Sequence, residues 1–268
     1  LAGTAEGVWS YDGLDWQRDG RDWPHREASL FVRTGDLRWH VQRMGSGPVV
    51  LLLHGTGAAT HSWAGLAPLL APQLTVIAPD LPGHGFTGMP PAPGLSLPGM
   101  ARSVAALLRA LDARPALVVG HSAGAAIGAR LCLDGAVAPR ALVSINGALL
   151  PLRGLPGHLF SPLARILAGV PLVPRLFAWR AADPRLTERL LERTGSRVPP
   201  AAVRWYRRLV RSPGHVHAAL GMMARWDLEP LARDLPGLAP ELILLACAND
   251  HTVPPAEARR VRARVPAA

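Results

Sequence analysis

The run Ala116-Leu117-Val118-Val119-Gly120-His121-Ser122-Ala123-Gly124 joins four apolar residues to the pattern G-x-S-x-G. The apolar residues read as a short buried strand, and the small residues of Ala123–Leu133 read as a helix. A serine between the two occupies a tight bend. Bulky neighbours would strike the adjoining strand or helix, so glycine is expected at Gly120 and Gly124. Such a bend lifts the hydroxyl to the helix N-terminus, where free backbone N–H groups favour negative charge. Ser122 is therefore the candidate nucleophile, supported by Gly120, His121 and Gly124.

Strand-like and helix-like segments alternate on both sides of this bend. Leu30–Arg33 and Leu37–Gln42 flank Thr34-Gly35-Asp36 as a hairpin. Val49–Leu53, Leu74–Ala78, Ala116–Gly120 and Ala141–Ile145 read as strands. His61–Leu70, Met100–Leu111 and Ala123–Leu133 read as helices. Beyond Ala148 the text turns helical, with patterns at Leu159–Ala168, Pro184–Thr194, Ala201–Val210 and His215–Trp226. A strand at Leu242–Ala246 and a helix at Ala256–Val265 follow. The expected class is α/β, with a mostly parallel central sheet flanked by helices and an inserted helical lid. That is the layout of the α/β-hydrolase fold. Residues 1–148 and 237–268 form the expected core, and residues 149–236 the expected cap. Residues 1–28 read as an irregular arm pinned by Trp9, Trp16 and Trp23.

Acyl transfer needs donors aimed at a developing oxyanion. In this fold they come from the residue after the nucleophile and from the loop after the third strand. Those positions are the N–H groups of Ala123 and Thr56, with Gly57 as the alternative to Thr56. Gly55 belongs to the same loop, and His54 is expected to anchor it rather than act as the base. Asp250, in the turn after Leu242–Ala246, is the candidate carboxylate to orient a catalytic imidazole. Asn146 is a weaker candidate, because an amide carries no charge to stabilise an imidazolium. The chain order for this fold is serine, acid, histidine. A further helix and strand would place that histidine ~25 residues past Asp250. Only 18 residues follow Asp250, and among them only the adjacent His251 is a histidine. The chain starts at Leu1 and stops at Ala268, so both ends read as cut and the base is expected in a missing C-terminal piece. The competing reading is a pseudoenzyme without a base.

Half of the chain is apolar (49%) and 18% is charged, a globular composition that excludes a disordered chain. No apolar run is long enough to span a membrane, and no secretory signal opens the text. Cys132 and Cys247 lie in apolar runs and are expected to be buried free thiols of a reducing compartment. The net charge of +10 comes from arginine alone, since lysine is absent. The arginines read as scattered, which disfavours nucleic acid and leaves an acidic ligand, an acidic protein or an anionic membrane surface. Arg153, Arg165, Arg175 and Arg180 punctuate the apolar lid text, which suits a flat apolar substrate bearing carboxylates, or a membrane surface. Asp80–Gly85 is expected to be a structural loop near the cleft. His215-Val216-His217 with Met222-Met223 invites a metal or porphyrin-ligand reading, but residues two apart diverge on a helix. Core or pocket lining is expected there, with no metal site and no cofactor.

Beyond the hydrolase motifs, several strings narrow the match. They are Asp22-Trp23-Pro24, Arg38-Trp39-His40-Val41-Gln42, His54–Gly57 with His61-Ser62-Trp63, Asp80–Thr87, Gly120–Ala125, Ile145–Ala148 and Met222–Leu228. With these the chain resembles the BchO-like magnesium-chelatase accessory proteins of bacteriochlorophyll biosynthesis. The resemblance implies a role in or beside Mg²⁺ insertion into protoporphyrin, in the cytoplasm and near the photosynthetic membrane. It implies a tetrapyrrole-like or other apolar acidic small molecule, and magnesium-chelatase subunits, as partners. The expected activity is serine hydrolysis of an ester or acyl bond of a tetrapyrrole-related substrate. The alternatives are a non-catalytic porphyrin-binding or chelatase-interaction protein, and a generic esterase or C–C hydrolase.

Overall fold

The computed structural model describes residues 13–151, 172–180, 183–265 and 268. The strands are β1 (Ser29–Thr34), β2 (Leu37–Met44), β3 (Val49–Leu53), β4 (Thr75–Pro79), β5 (Pro115–His121), β6 (Ala141–Ile145) and β7 (Glu241–Leu245). They form one sheet in the order β1-β2-β4-β3-β5-β6-β7. β1 pairs with β2, and β2 with β4, antiparallel; every other pairing is parallel. The parallel strands therefore end on one edge. The segments after Leu53, Pro79, His121, Ile145 and Leu245 gather there, which is where open α/β sheets place their sites.

β3 shows why these residues make a central strand. Leu51 and Leu53 enter one core with Val118, Ile127, Leu131 and Leu142. Val50 and Leu52 enter a second core on the opposite face with Trp63, Val76, Ala78 and Val119. An unbroken apolar run is what burial on both faces requires, because successive side chains alternate.

The helices are α1 (Trp16–Asp19), α2 (Ala67–Leu70), α3 (Leu97–Ala110) and α4 (Ala123–Leu133). After β6 come α5 (Leu172–Arg180), α6 (Pro184–Arg193), α7 (Pro200–Val210), α8 (Pro213–Ala224) and α9 (Glu229–Asp234), and α10 (Pro255–Arg264) follows β7. Among the described residues between β6 and β7 there is no strand. α3 begins three residues before the expected Met100, because Ser96 accepts from the Gly99 N–H and Pro98 suits a first turn. α4 buries Ala123–Ala129 and Leu131, as expected of a helix between sheet and neighbours. No described helix is long and apolar enough to cross a membrane.

Three expectations need correction. His61–Leu70 is not one helix but a 3₁₀ turn at Thr60–Trp63 followed by the single turn of α2, with Gly65 and Pro68 interrupting the periodicity. The arm is not wholly irregular: Asp15 caps α1 by accepting from the Arg18 N–H. Cys247 is exposed just past β7, while Cys132 is partly buried, and burial pushes its thiol up to about 12. The helical pattern at Leu159–Ala168, Arg153, Arg165 and Trp9 lie outside the described residues.

The arm is held by rings. Trp23 is 2% exposed, donates its indole N–H to Thr60 Oγ1 at 2.9 Å and stands edge-on to Phe86. Trp16 packs on Phe31, His40 and Phe86 and carries Arg26 over its face.

Beside these rings the buried Asp80 ties three segments together. It takes the His40 Nδ1–H at 2.7 Å, the Thr60 N–H at 2.7 Å and the Phe86 N–H at 2.9 Å. Burial penalises the charge, but the His40 interaction and these N–H donors outweigh it and hold the carboxyl below the usual range. Burial pushes His54 down to about 3 and His61 to about 4.

Two outcomes are expected. Trp23→Ala should cost about 3–5 kcal/mol in urea unfolding, by vacating a filled site and freeing the arm. Acid should destabilise the fold from pH ~6.5 downward. The unfolded chain protonates His54 and His61 near 6.5 whereas the native chain keeps them neutral, so each contributes a slope of roughly 1 kcal/mol per pH unit down to its folded value. Asp80, depressed in the fold, adds to the loss only below about 4. Urea midpoints at a series of pH values check the sign.

Candidate active site

Ser122 occupies the bend between β5 and α4 with φ 51° and ψ −117°. A non-glycine residue held there stores on the order of 1–3 kcal/mol, and surrounding contacts must enforce it. The enforcing contacts are visible. Its N–H donates to Ile145 O at 3.0 Å, and its carbonyl accepts from Ala125 N and Ala148 N, each at 3.1 Å. The glycines are steric necessities. A methyl carbon on Gly124 would lie 2.6 Å from the Leu53 carbonyl carbon, and one on Gly120 would lie 2.5 Å from that of Gly124.

The loop after β3 lies against this bend. A methyl carbon on Gly55 would stand 3.1 Å from Ser122 Cβ and 3.0 Å from His121 Nδ1. Thr56 and Gly57, half-buried, follow directly, and Gly57 takes a left-handed φ of 73°. Among the described residues neither Thr56 N–H nor Ala123 N–H donates to another group. Two free amides therefore flank the serine, one on the loop and one at the start of α4.

His54 stands behind that loop, fully buried. Its Nδ1–H donates to Gly55 O at 2.8 Å, and Nε2 accepts from the Leu81 N–H at 2.9 Å. Both nitrogens are used, so the ring is a neutral tie between the loops after β3 and β4. His215 is a second tie, from α8. Its Nδ1 accepts from the Gly85 N–H at 3.1 Å and its Nε2–H donates to Gly57 O at 3.1 Å. Burial holds it well below the ordinary histidine range, which keeps the neutral ring both bonds need. From the same helix, buried Met222 receives the Thr56 hydroxyl on Sδ at 3.5 Å. His215 is buried, as the expected core or pocket lining requires, but its ties to the loops after β3 and β4 were not foreseen from the sequence. Only its position in the first turn of α8, after the capping Ser212, hinted at a fixed orientation.

Asp250 is half-buried in the loop after β7. Its Oδ1 accepts from Thr252 N at 2.7 Å and Val253 N at 2.8 Å, which shapes the entry to α10. Burial pushes His121, at the end of β5, below the ordinary histidine range, and the Asp250 charge opposes that shift. His251 is exposed and donates its backbone N–H to Thr194 O at 3.1 Å, at the end of α6. Asn146, in a left-handed conformation, spends its Oδ1 on the Cys247 N–H at 2.7 Å and fixes the β6–β7 ends. Ser122, Gly55, Thr56, Gly57 and Ala123 are thus brought together, Asp250 is at the same sheet edge, and Asn146 serves the backbone. Among the described residues no three His, Cys, Asp or Glu side chains converge on a metal position.

This geometry agrees with the comparisons. The family model described as α/β hydrolase fold matches residues 48–268. The chain is 40% identical over 235 residues to the magnesium-chelatase 30 kDa subunit of Rhodobacter capsulatus, covering 87% of this chain and 82% of that protein. It is 39% identical over 107 residues to a fluoroacetate dehalogenase of Burkholderia sp, 38% of this chain and 35% of that one. An α/β-hydrolase-fold protein of Burkholderia ambifaria superposes with a TM-score of 0.72 at 21% identity, over 96% of this chain and 89% of that chain. The chain belongs to the α/β-hydrolase fold family, in the branch that holds the magnesium-chelatase 30 kDa subunit.

Proposed function

We propose that the protein is a serine-hydrolase-type accessory of magnesium chelatase in bacteriochlorophyll biosynthesis, cleaving an ester or acyl bond of a tetrapyrrole-related substrate. The observation that carries the chemistry is Ser122, held at φ 51° with Gly55 against it and two unpaired amides beside it. Ser122 Oγ attacks the acyl carbon. An imidazole oriented by Asp250 takes its proton, returns it to the leaving group, and then takes a proton from the water that frees the acyl group as an acid and restores the Ser122 hydroxyl. Thr56 N–H and Ala123 N–H receive the charge on the former carbonyl oxygen, and Gly57 is the alternative donor. The pathway is supported by likeness to a relative named as a chelatase subunit, over most of both chains.

In this reading the helices between 149 and 236 are a lid on a core of residues 1–148 and 237–268. His215 and Met222 reach from that lid to the loop at 54–57. Exposed Leu176 and Trp179 on α5, with Arg175 and Arg180, suit contact with an anionic membrane surface from the cytoplasmic side. The alternative reading, a non-catalytic porphyrin carrier for the chelatase, makes no use of the Ser122 hydroxyl.

A fluorophosphonate probe on the purified full-length protein is expected to label Ser122 and to leave Ser122→Ala unlabelled. No labelling refutes catalysis. A Soret-band titration with protoporphyrin is expected to saturate, and its failure points to the generic esterase or C–C hydrolase reading. Ser122→Ala that restores pigment synthesis in cells leaves only the carrier role. His215→Leu removes both ties to the loops and is expected to slow labelling about tenfold, equivalent to about 1.4 kcal/mol, with Ser122 still present.

A further inference from the structure

Away from Ser122, α7 carries a feature that the hydrolase reading does not use. Arg204, Arg207, Arg208 and Arg211 stand at spacings of three, four and seven, so their guanidinium groups share one helix face. Like charges at these spacings repel, and a protein that keeps them needs anions opposite. The arm supplies only part. Asp22 meets Arg208 at 2.7 Å and Arg204 at 3.7 Å, and the Asp19 carbonyl accepts from Arg208. Glu188 stands 3.7 Å from Arg207. Among the described residues no carboxylate pairs with Arg211, and Arg207 Nε is buried without an acceptor.

These arginines form one wall of a cleft of about 440 Å³, and the α1 side, with Leu14 and Arg18, forms the other. Ser212 and Pro213, the start of the twelve-residue α8, border it as well, adding the positive end of a helix dipole. Five guanidinium groups line this recess, and among the described residues Asp19, Asp22 and Glu188 form ion pairs with four of them, leaving Arg211 outside those pairs. The volume falls in the range of small-molecule sites. Arginine forks match carboxylate and phosphate oxygens in paired hydrogen bonds.

We infer that the cleft between α1 and α7 binds a small, multiply charged oxyanion, a polycarboxylate or a phosphate ester, through Arg207 and Arg211. Arg204 and Arg208 hold the arm, and Arg207 and Arg211 hold the ligand. The site is separate from Ser122 and does not depend on the hydrolase reading.

Citrate and inorganic pyrophosphate serve as probes in calorimetric titration of the full-length protein. Saturable binding that weakens with added salt is expected, with affinity reduced about tenfold or more in Arg207→Gln/Arg211→Gln and unchanged in Arg109→Gln on α3. Phenylglyoxal footprinting of the unaltered protein gives the same answer without a variant: either probe should protect Arg207 and Arg211 but not Arg109. Absence of binding, binding indifferent to the double substitution with no protection of the two arginines, or association only with phosphatidylglycerol vesicles would each overturn the assignment.

Discussion

Everything at this protein's candidate site follows from backbone sterics at one bend. Ser122 sits where an L-residue resists sitting, and it stays there because the end of β6 grips its N–H and carbonyl together. That grip requires α4 to start almost in contact with β3 and β5. Gly120 and Gly124 permit the approach because any side chain there would overlap backbone. The consequence is chemical. A helix that begins so close to the sheet leaves its first N–H, that of Ala123, next to the serine in the chain and without an acceptor among the described residues.

The second amide needs a loop that does not drift. The loop after β3 is fastened from below by His54, through Leu81 and Gly55, and from above by His215, through Gly85 and Gly57. Both rings are buried and neutral, so each presents one donor and one acceptor, and each uses both. Asp80 underlies the arrangement by fixing the chain on either side of these loops. His215 makes the geometry of the loop depend on the placement of α8.

Much of the fold was legible from the chain. β3, α4 and β6 have the boundaries that apolar runs and small-residue periodicity imply, because most of their side chains are buried in the packing between sheet and helices. The elbow was legible for a steric reason, since only glycine at two flanking positions allows it. The His61–Leu70 segment misled because its apolar spacing is helical while Gly65 and Pro68 break it into turns. The arginines of α7 read as scattered along the text, although their spacing places them on one face once the helix exists.

The amino-acid order by itself determined the strand–bend–helix unit around Ser122 and the alternation of strands and helices. Those are matters of short-range sterics and of periodicity, which neighbouring residues encode. Only the tertiary structure decided that His215 reaches Gly57 across 158 positions, that Asn146 serves β7 rather than a proton, and that the arm's Asp22 meets Arg208. Those contacts join segments distant in the chain. They exist because packing brings the segments together, and no local pattern of residues carries that information.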